Sequence, residues 1–522
     1  MSLFRLSLVI LFAESFGYKI LIYSPQIGHS HVNFFGQIAD TLVEAGHDAV
    51  LYVPAFYEEV KTTGAKLARV IERPLENKLP YDVSDVLPGT WTEDGRGLVQ
   101  VFTFQVMIGM AGNIKPHCDM QLADKKLMDR LREEKFDLGI TEVFNVCGYA
   151  IFHNLGIRTH ISAFATNIVD VISSGLGVVN NPSYVPASFT QLSDVMSYSQ
   201  RLENVISYST TFFLFQLLVR PYINFNHVAP GFDIDKAVES SAFAFVNSEE
   251  FVEYPRPINH KIVFIAGIGV KQPQPLDEEY ERIMENAKGS VVLVSFGSVA
   301  KSSEMPSKIK DAFVGMFARF PEVTFIWKYE KDDDVAANVT NVIKKKWVPQ
   351  NDLFGHPKLG AFITHGGQNS VIESTNAGIP MICVPLFGDQ MRNAKVAEKR
   401  RVAFLLDKRF ISSDSLSHAI RTVLYNQTYG ESAKRLAQMI RKKPISARER
   451  VIKYTEFAAE FGPFDNLNSA GVRLNFFQYY MIDILLPAAI ILMLFTALSA
   501  LALIRLTRLL LRFRMENKQK QE

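Results

Sequence analysis

Cysteine is scarce in this chain: three in 522 residues, at Cys118, Cys147 and Cys383. Odd in number and widely spaced, they fit neither a zinc site nor a disulfide framework, and buried unpaired thiols are expected. A charge excess of either sign is missing too. Fifty-six Lys and Arg stand against 54 Asp and Glu, a net of +2, so no global field recruits nucleic acid or acidic substrates. The two best-known phosphate-binding signatures are absent as well: no lysine follows a glycine turn as in a Walker loop, and no G-x-G-x-x-G is present.

Long apolar runs are confined to the two ends. Residues 1–17, with Arg5, an apolar stretch from Leu6 to Ala13 and small residues before Tyr18, read as a signal peptide cleaved after Gly17. Residues 484–504 hold 21 residues without a charge, enough to cross a hydrocarbon core of roughly 30 Å. Arg505, Arg508, Arg512, Arg514, Lys518 and Lys520 follow. Positive flanks stay cytoplasmic, so residues 505–522 form a basic cytoplasmic tail and the bulk of the chain faces the lumen as a single-pass type I protein. The last residues, KQKQE, resemble dilysine signals of endoplasmic reticulum membrane proteins. Two sequons, at Asn338 and Asn426, would be usable in that lumen.

Between the ends, strand-like and helix-like segments alternate, which predicts an α/β fold with mainly parallel sheets. A first series (KILIYSP, HDAVLYVP, FDLGITE, THISAF) and a second (SVVLVSFGS, VTFIWKY, LGAFITH, PMICVPL, VAFLLD) flank a proline-dotted stretch. The expectation is two doubly wound domains, residues 18–255 and 288–462, joined by a linker at 256–287, with ligands in the cleft between their strand ends. The aromatic stretch 198–226 has an apolar core, FFLFQLLV, that is too short to span. It is expected to be a buried helix, the other reading being a greasy wall for an apolar substrate that also touches the bilayer.

One segment concentrates chemistry. In FITHGGQNSVIES, from Phe362 to Ser374, a strand stops at a histidine and two glycines, and a helix opens with small polar groups. Such a turn aims backbone N–H groups and the positive end of a helix dipole at one point, where an anion binds. His365, Asn369 and Ser370 add donors, and Gly367 lets a ligand approach closely. Upstream, Trp347 could stack on a base beside the amides of Gln350 and Asn351; downstream, Glu373 could accept from sugar hydroxyls, and Asp389 and Gln390 end another strand in a polar pair. Together these describe a nucleoside diphosphate carrying a sugar.

WVPQND from Trp347, the HGGQNS turn, Glu373 and Asp389-Gln390 resemble the nucleotide-sugar signature of the UDP-glycosyltransferases, and the membrane-anchored layout is similar to that of animal UDP-glucuronosyltransferases. The resemblance covers nearly the whole chain. It implies a GT-B fold, two Rossmann-like domains with the donor on the second and the acceptor on the first, plus the C-terminal transmembrane helix. It further implies that Trp347 stacks on uracil, with Gln350 near base or ribose and Glu373 on the ribose hydroxyls. His365, Gly367, Asn369 and Ser370 would hold the diphosphate, Ser298 would close it from the facing turn, and Asp389 and Gln390 would bind the hexose.

The reaction needs a base to take the acceptor's proton, and neutral imidazole suits the task. By resemblance, the family's base lies sixteen positions before His47, which selects His31 over His29. Its carboxylate partner, an Asp in glucuronosyl members, corresponds to Glu142. Many of those members carry an Arg where Ser248 stands, so glucose joins glucuronate as a candidate sugar. The expected activity is an inverting transfer from UDP-glucuronate or UDP-glucose to a hydroxyl of a small lipophilic acceptor, with no metal and no cofactor beyond the UDP-sugar co-substrate. Membrane lipid is an expected partner, and homo- or hetero-oligomers remain open. The alternatives are a non-catalytic membrane-anchored UDP-sugar-binding regulator, which would need the donor residues and not the base, and a lipid glycosyltransferase.

Overall fold

The computed structural model describes residues 17–81, 87–92 and 101–520; the expected signal segment, apart from Gly17, lies outside them. The chain forms two compact units, residues 1–468 and 469–522.

The first unit holds two parallel sheets. Seven strands make the first: β1 (Lys19–Tyr23), β2 (Asp48–Pro54), β3 (Arg69–Arg73), β4 (Leu138–Glu142), β5 (His160–Phe164), β6 (Phe243–Val246) and β7 (Ile262–Phe264), in the order β3-β2-β1-β4-β5-β6-β7. Six make the second: β8 (Val291–Ser295), β9 (Thr324–Lys328), β10 (Val342–Lys345), β11 (Leu359–Thr364), β12 (Met381–Cys383) and β13 (Ala403–Leu405), in the order β10-β9-β8-β11-β12-β13. Central strands such as LGITE and VVLVS are buried along their whole length, as strands covered by helices on both faces must be. In each sheet the winding direction reverses once, between β1 and β4 and between β8 and β11. Loops diverge at such a reversal and leave a crevice at the carboxyl ends of the strands. Ligand-binding residues are therefore to be sought after β1, β4, β8 and β11.

Two segments cross the expected domain boundaries. The linker expected at 256–287 contributes β7, so the first sheet extends past residue 255. The helix Ala447–Phe461, expected with the second domain, packs on the first: Val451 and Ala458 are fully buried in the cluster with Ile20, Phe35 and Phe243. In the opposite direction, Trp91 enters the second domain's core, its ring 5.0 Å from that of Phe296 and its Nε1 donating to the Lys301 carbonyl at 3.1 Å. The domains are braced by an exchange of apolar anchors.

Two further expectations fail. Cys118 and Cys147 form a disulfide, with Cα atoms 5.4 Å apart, joining the helices Val101–Ala123 and Cys147–Leu155; Cys383 alone is a buried free thiol. The aromatic stretch is not a core helix. It folds as the helix Tyr198–Leu214, continued by a π-helical turn (Phe215–Val219) and a 3-10 turn (Arg220–Ile223); taken together, Tyr198–Ile223 is long and apolar enough by composition to cross a membrane, and it is exposed over most of its surface. Its inward residues are polar: Asn204 bonds to the backbone of Ala187, Pro182 and Val185, and Ser207 is buried. Its outward residues are apolar, with Tyr198 77% and Phe213 64% exposed alongside Leu202 and Leu217. This is the reverse of a water-facing amphipathic helix.

The second unit, residues 469–522, contains the helix Ile482–Gln519, with 38 residues and none buried. It is long and apolar enough to cross a membrane, and it contains the span expected at 484–504.

Candidate active site

One half of the candidate site is assembled at the first winding reversal. After β1 the chain turns through Ser24–Gly28 into the helix His29–Glu44, whose first turn carries His31. Glu142 is the last residue of the neighbouring β4. His31 Nδ1 lies 2.6 Å from Glu142 Oε2, with the carboxylate fully buried and the imidazole 22% exposed. The longer Glu arm reaches the ring. Because the carboxylate can only accept, Nδ1 carries the proton and Nε2 is left as the basic nitrogen. Burial by itself depresses the affinity of His31 for a proton. The charge and hydrogen bond of Glu142, joined by the charge of Asp389, outweigh it and raise the pKa above the ordinary histidine value. His29, two residues earlier, is not the histidine that meets Glu142.

The donor side forms at the second reversal. β11 delivers His365, and the helix Gln368–Ala377 starts after Gly367 with no side chain capping its N-terminus, so its first N–H groups are the donors facing the turn. His365 is clasped by two glycine turns. A Cβ on Gly367 would fall 2.4 Å from His365 Nε2, and one on Gly297, whose φ is +79°, would fall 2.9 Å from Cε1. Burial, with the nearby Lys328 charge, pushes the pKa of His365 down to about 4, so the imidazole is neutral at physiological pH. Ser298, exposed, stands one residue past Gly297 on the β8 turn. Asn369 and Ser370 lie half-buried in the first helical turn. The Asn369 oxygen accepts from Asn247 Nδ2 of the first domain at 2.9 Å.

Trp347 is 73% exposed, which fits a stacking platform and excludes a core role. Lys328 Nζ sits 5.7 Å from its ring centroid. Gln350 and Glu373 are brought together, the Gln350 amide donating to Glu373 Oε2 at 2.5 Å, and burial raises the carboxyl's pKa against that bond. Asn351 is placed otherwise than expected: its amide donates to the Lys271 carbonyl at 3.1 Å and ties down the interdomain segment. Asp389 occupies the N-cap of the helix Gln390–Lys399 without capping it. Its carboxyl, raised in pKa by burial, accepts from Asn393 at 2.8 Å and is electrostatically coupled to His31. Gln390 Oε1 accepts from the backbone N–H groups of Leu386 and Phe387, fixing the loop from within.

Asn167 and Asn247 are not among the site residues expected from the sequence. Each follows the carboxyl end of a buried strand, β5 and β6 respectively, the same signal that singled out Asp389 and Gln390. Ser248, next to Asn247, is buried in the seam between domains and lines a cavity of about 20 Å³ with Glu249, Gln368 and Asn393. Among the described residues, no group of His, Cys, Asp and Glu is arranged to hold a metal ion.

The chain is similar to known sugar-transferring proteins. UDP-glucosyltransferase 2 of Dactylopius coccus is 30% identical, with 92% of each chain covered. UDP-glucuronosyltransferase 1A7 of Rattus norvegicus is 27% identical over 92% of this chain and 90% of its own length. Among solved structures, the fold is similar to that of Phytolacca americana UGT2 complexed with UDP-2fluoro-glucose and pterostilbene (TM-score 0.56, 16% identity, 85% of this chain and all of that one). LpCGTa in complex with UDP aligns over the same shares at TM-score 0.57. These establish the two-domain GT-B architecture. Residues 19–521 match the family described as "UDP-glucoronosyl and UDP-glucosyl transferase"; the chain belongs to that family and is a glycosyltransferase whose donor substrate is a UDP-sugar.

Proposed function

We propose that the protein is an inverting UDP-glycosyltransferase that moves glucose or glucuronate to a hydroxyl of a small lipophilic acceptor. His31 Nε2 takes the hydroxyl proton as the oxygen attacks the anomeric carbon. The bond from that carbon to the diphosphate oxygen breaks on the opposite face, its electron pair leaves with UDP, and an α-linked donor yields a β-glycoside. The imidazolium is held by Glu142. The leaving charge falls on the start of the Gln368 helix and on the neutral His365 N–H, with Ser298, Asn369 and Ser370 as further donors, so no divalent ion is required. The observation that carries the reading is the His31–Glu142 pair, 2.6 Å apart, coupled across the cleft to Asp389 of the donor domain. A donor-binding regulator would need the donor residues and not this pair.

Ser248 offers no cation for a sugar carboxylate, and the nearby Arg392 is already paired with Glu253 at 2.7 Å. This supports glucose over glucuronate. The Cys118–Cys147 disulfide supports an oxidising lumen, and the basic residues after position 504 support a type I orientation in the endoplasmic reticulum membrane. The outward apolar face of the Tyr198 helix fits contact with membrane lipid, from which a lipophilic acceptor would enter.

Purified full-length protein, offered UDP-glucose and UDP-glucuronate with phenol, steroid and ceramide acceptors, tests the reading. A β-linked product from UDP-glucose, formed equally well with EDTA present, supports it. An α-linked product, or UDP binding without turnover on any acceptor, contradicts it.

A further inference from the structure

We propose that Asn167 of the first domain is a positioning residue for the sugar end of the donor, acting through Asn393 on Asp389. The inference rests on reading Asp389 as the acceptor for hexose hydroxyls.

Three side chains form a directed chain across the domain seam. Asn167 Nδ2 donates to Asn393 Oδ1 at 3.0 Å, and Asn393 Nδ2 donates to Asp389 Oδ2 at 2.8 Å. Both asparagines are buried. An ionised carboxylate only accepts, so the Asn393 amide must turn its NH2 toward Asp389. Its oxygen then points away, and only a donor can satisfy it there. Asn167 supplies that donor from the opposite domain. The result engages one oxygen of Asp389 and leaves Oδ1 to receive a sugar hydroxyl, with the carboxyl plane fixed. Asp389 makes no capping bond to its helix, and its own backbone N–H is the other hydrogen-bond partner of the carboxyl.

The same strands that place the base place the far end of this chain. Glu142 pairs in register with Ala163 of β5, and Asn167 lies four residues beyond Ala163. The buried Arg392–Glu253 pair lies one residue along from Asn393 on the same helix. The Asn167–Asn393 bond joins the two domains across their seam, so the orientation it gives Asp389 depends on the domains being in contact. Interdomain packing alone predicts equal effects on every ligand; orientation of Asp389 predicts effects confined to the sugar.

Asn167→Leu, Asn393→Leu and the double variant, made in the full-length protein, separate these accounts. Direct binding of UDP, KM for the UDP-sugar, kcat and thermal unfolding are measured for each. Asn167→Leu is expected to leave the Kd for UDP unchanged and to lower kcat/KM for the UDP-sugar about tenfold, the scale of one hydrogen bond to a charged group. The double variant is expected to lose no more than Asn393→Leu alone, because both act on one carboxylate. Asn167→Asp, equal in size but lacking the donor, gives the same split if the leucine variant folds poorly. Equal weakening of UDP and UDP-sugar, no effect on either, or losses that multiply in the double variant would overturn the proposal. Asp389→Ala with undiminished use of the UDP-sugar would instead remove the reading on which it rests.

Discussion

His31 shows how a single side chain is tuned by its surroundings. Burial lowers its proton affinity, and the Glu142 and Asp389 charges reverse the sign. A general base works only when neutral, so under the proposed role the raised pKa of His31 places the acid limb of kcat/KM above the ordinary value of 6.5. Glu142→Gln should shift that limb toward lower pH and lower the plateau, as read in a pH–rate profile; an unmoved limb would mean that another group titrates. Trp347 is the other residue with a sharp expectation. If its exposed indole carries the uracil, Trp347→Ala should weaken UDP by about tenfold or more, in line with roughly 1–3 kcal/mol for stacking on one base. Isothermal titration with UDP reads this directly. An unchanged Kd would return Trp347 to the ordinary surface.

At the scale of elements, the glycines around His365 matter more than their sequence pattern suggests. Gly367 and Gly297 are close-packed against the ring, and Gly297 also has a left-handed backbone. Gly367→Ala is therefore expected to displace His365 and weaken UDP binding severalfold while thermal unfolding changes little; intact binding would mean that the ring moves freely. The helix beginning at Tyr198 presents its apolar side to the surroundings. Replacing Leu202 and Phe213 with lysine should raise KM for a membrane-partitioned acceptor and not for a water-soluble phenol; equal change in both would contradict a lipid-facing role. The elements built on buried, alternating strands and helices were legible in the sequence because local apolar runs dictate them, as in LGAFIT and VVLVS. The short or half-exposed strands β3, β6, β7 and β10 were not, since FAFV, VIKK and IVF carry too few residues to show a period. The inverted Tyr198 helix was misread because apolar content alone does not say which side faces inward.

In the whole molecule, what the sequence concealed is long-range. The Cys118–Cys147 bond depends on two helices meeting, which spacing cannot reveal. The Trp91 anchor and the return of the helix Ala447–Phe461 likewise join segments hundreds of residues apart. Trp91→Ala should destabilise the protein by about 3–5 kcal/mol through the cavity it leaves, seen as a lowered unfolding midpoint; a midpoint unchanged from wild type would remove Trp91 as a brace. The two halves of the site were legible separately, as polar groups at strand ends. Their apposition across the cleft, His31 with Asp389 and Asn167 with Asn393, is a property of the closed pair of domains. The central claim is that one sugar carbon is held by the donor turn and attacked under the control of His31. Pre-steady-state measurement of His31→Ala tests it most directly: UDP-sugar binding is predicted to stay near wild type while transfer slows by about 10²–10⁴-fold, whereas full turnover, or loss of donor binding, would contradict it.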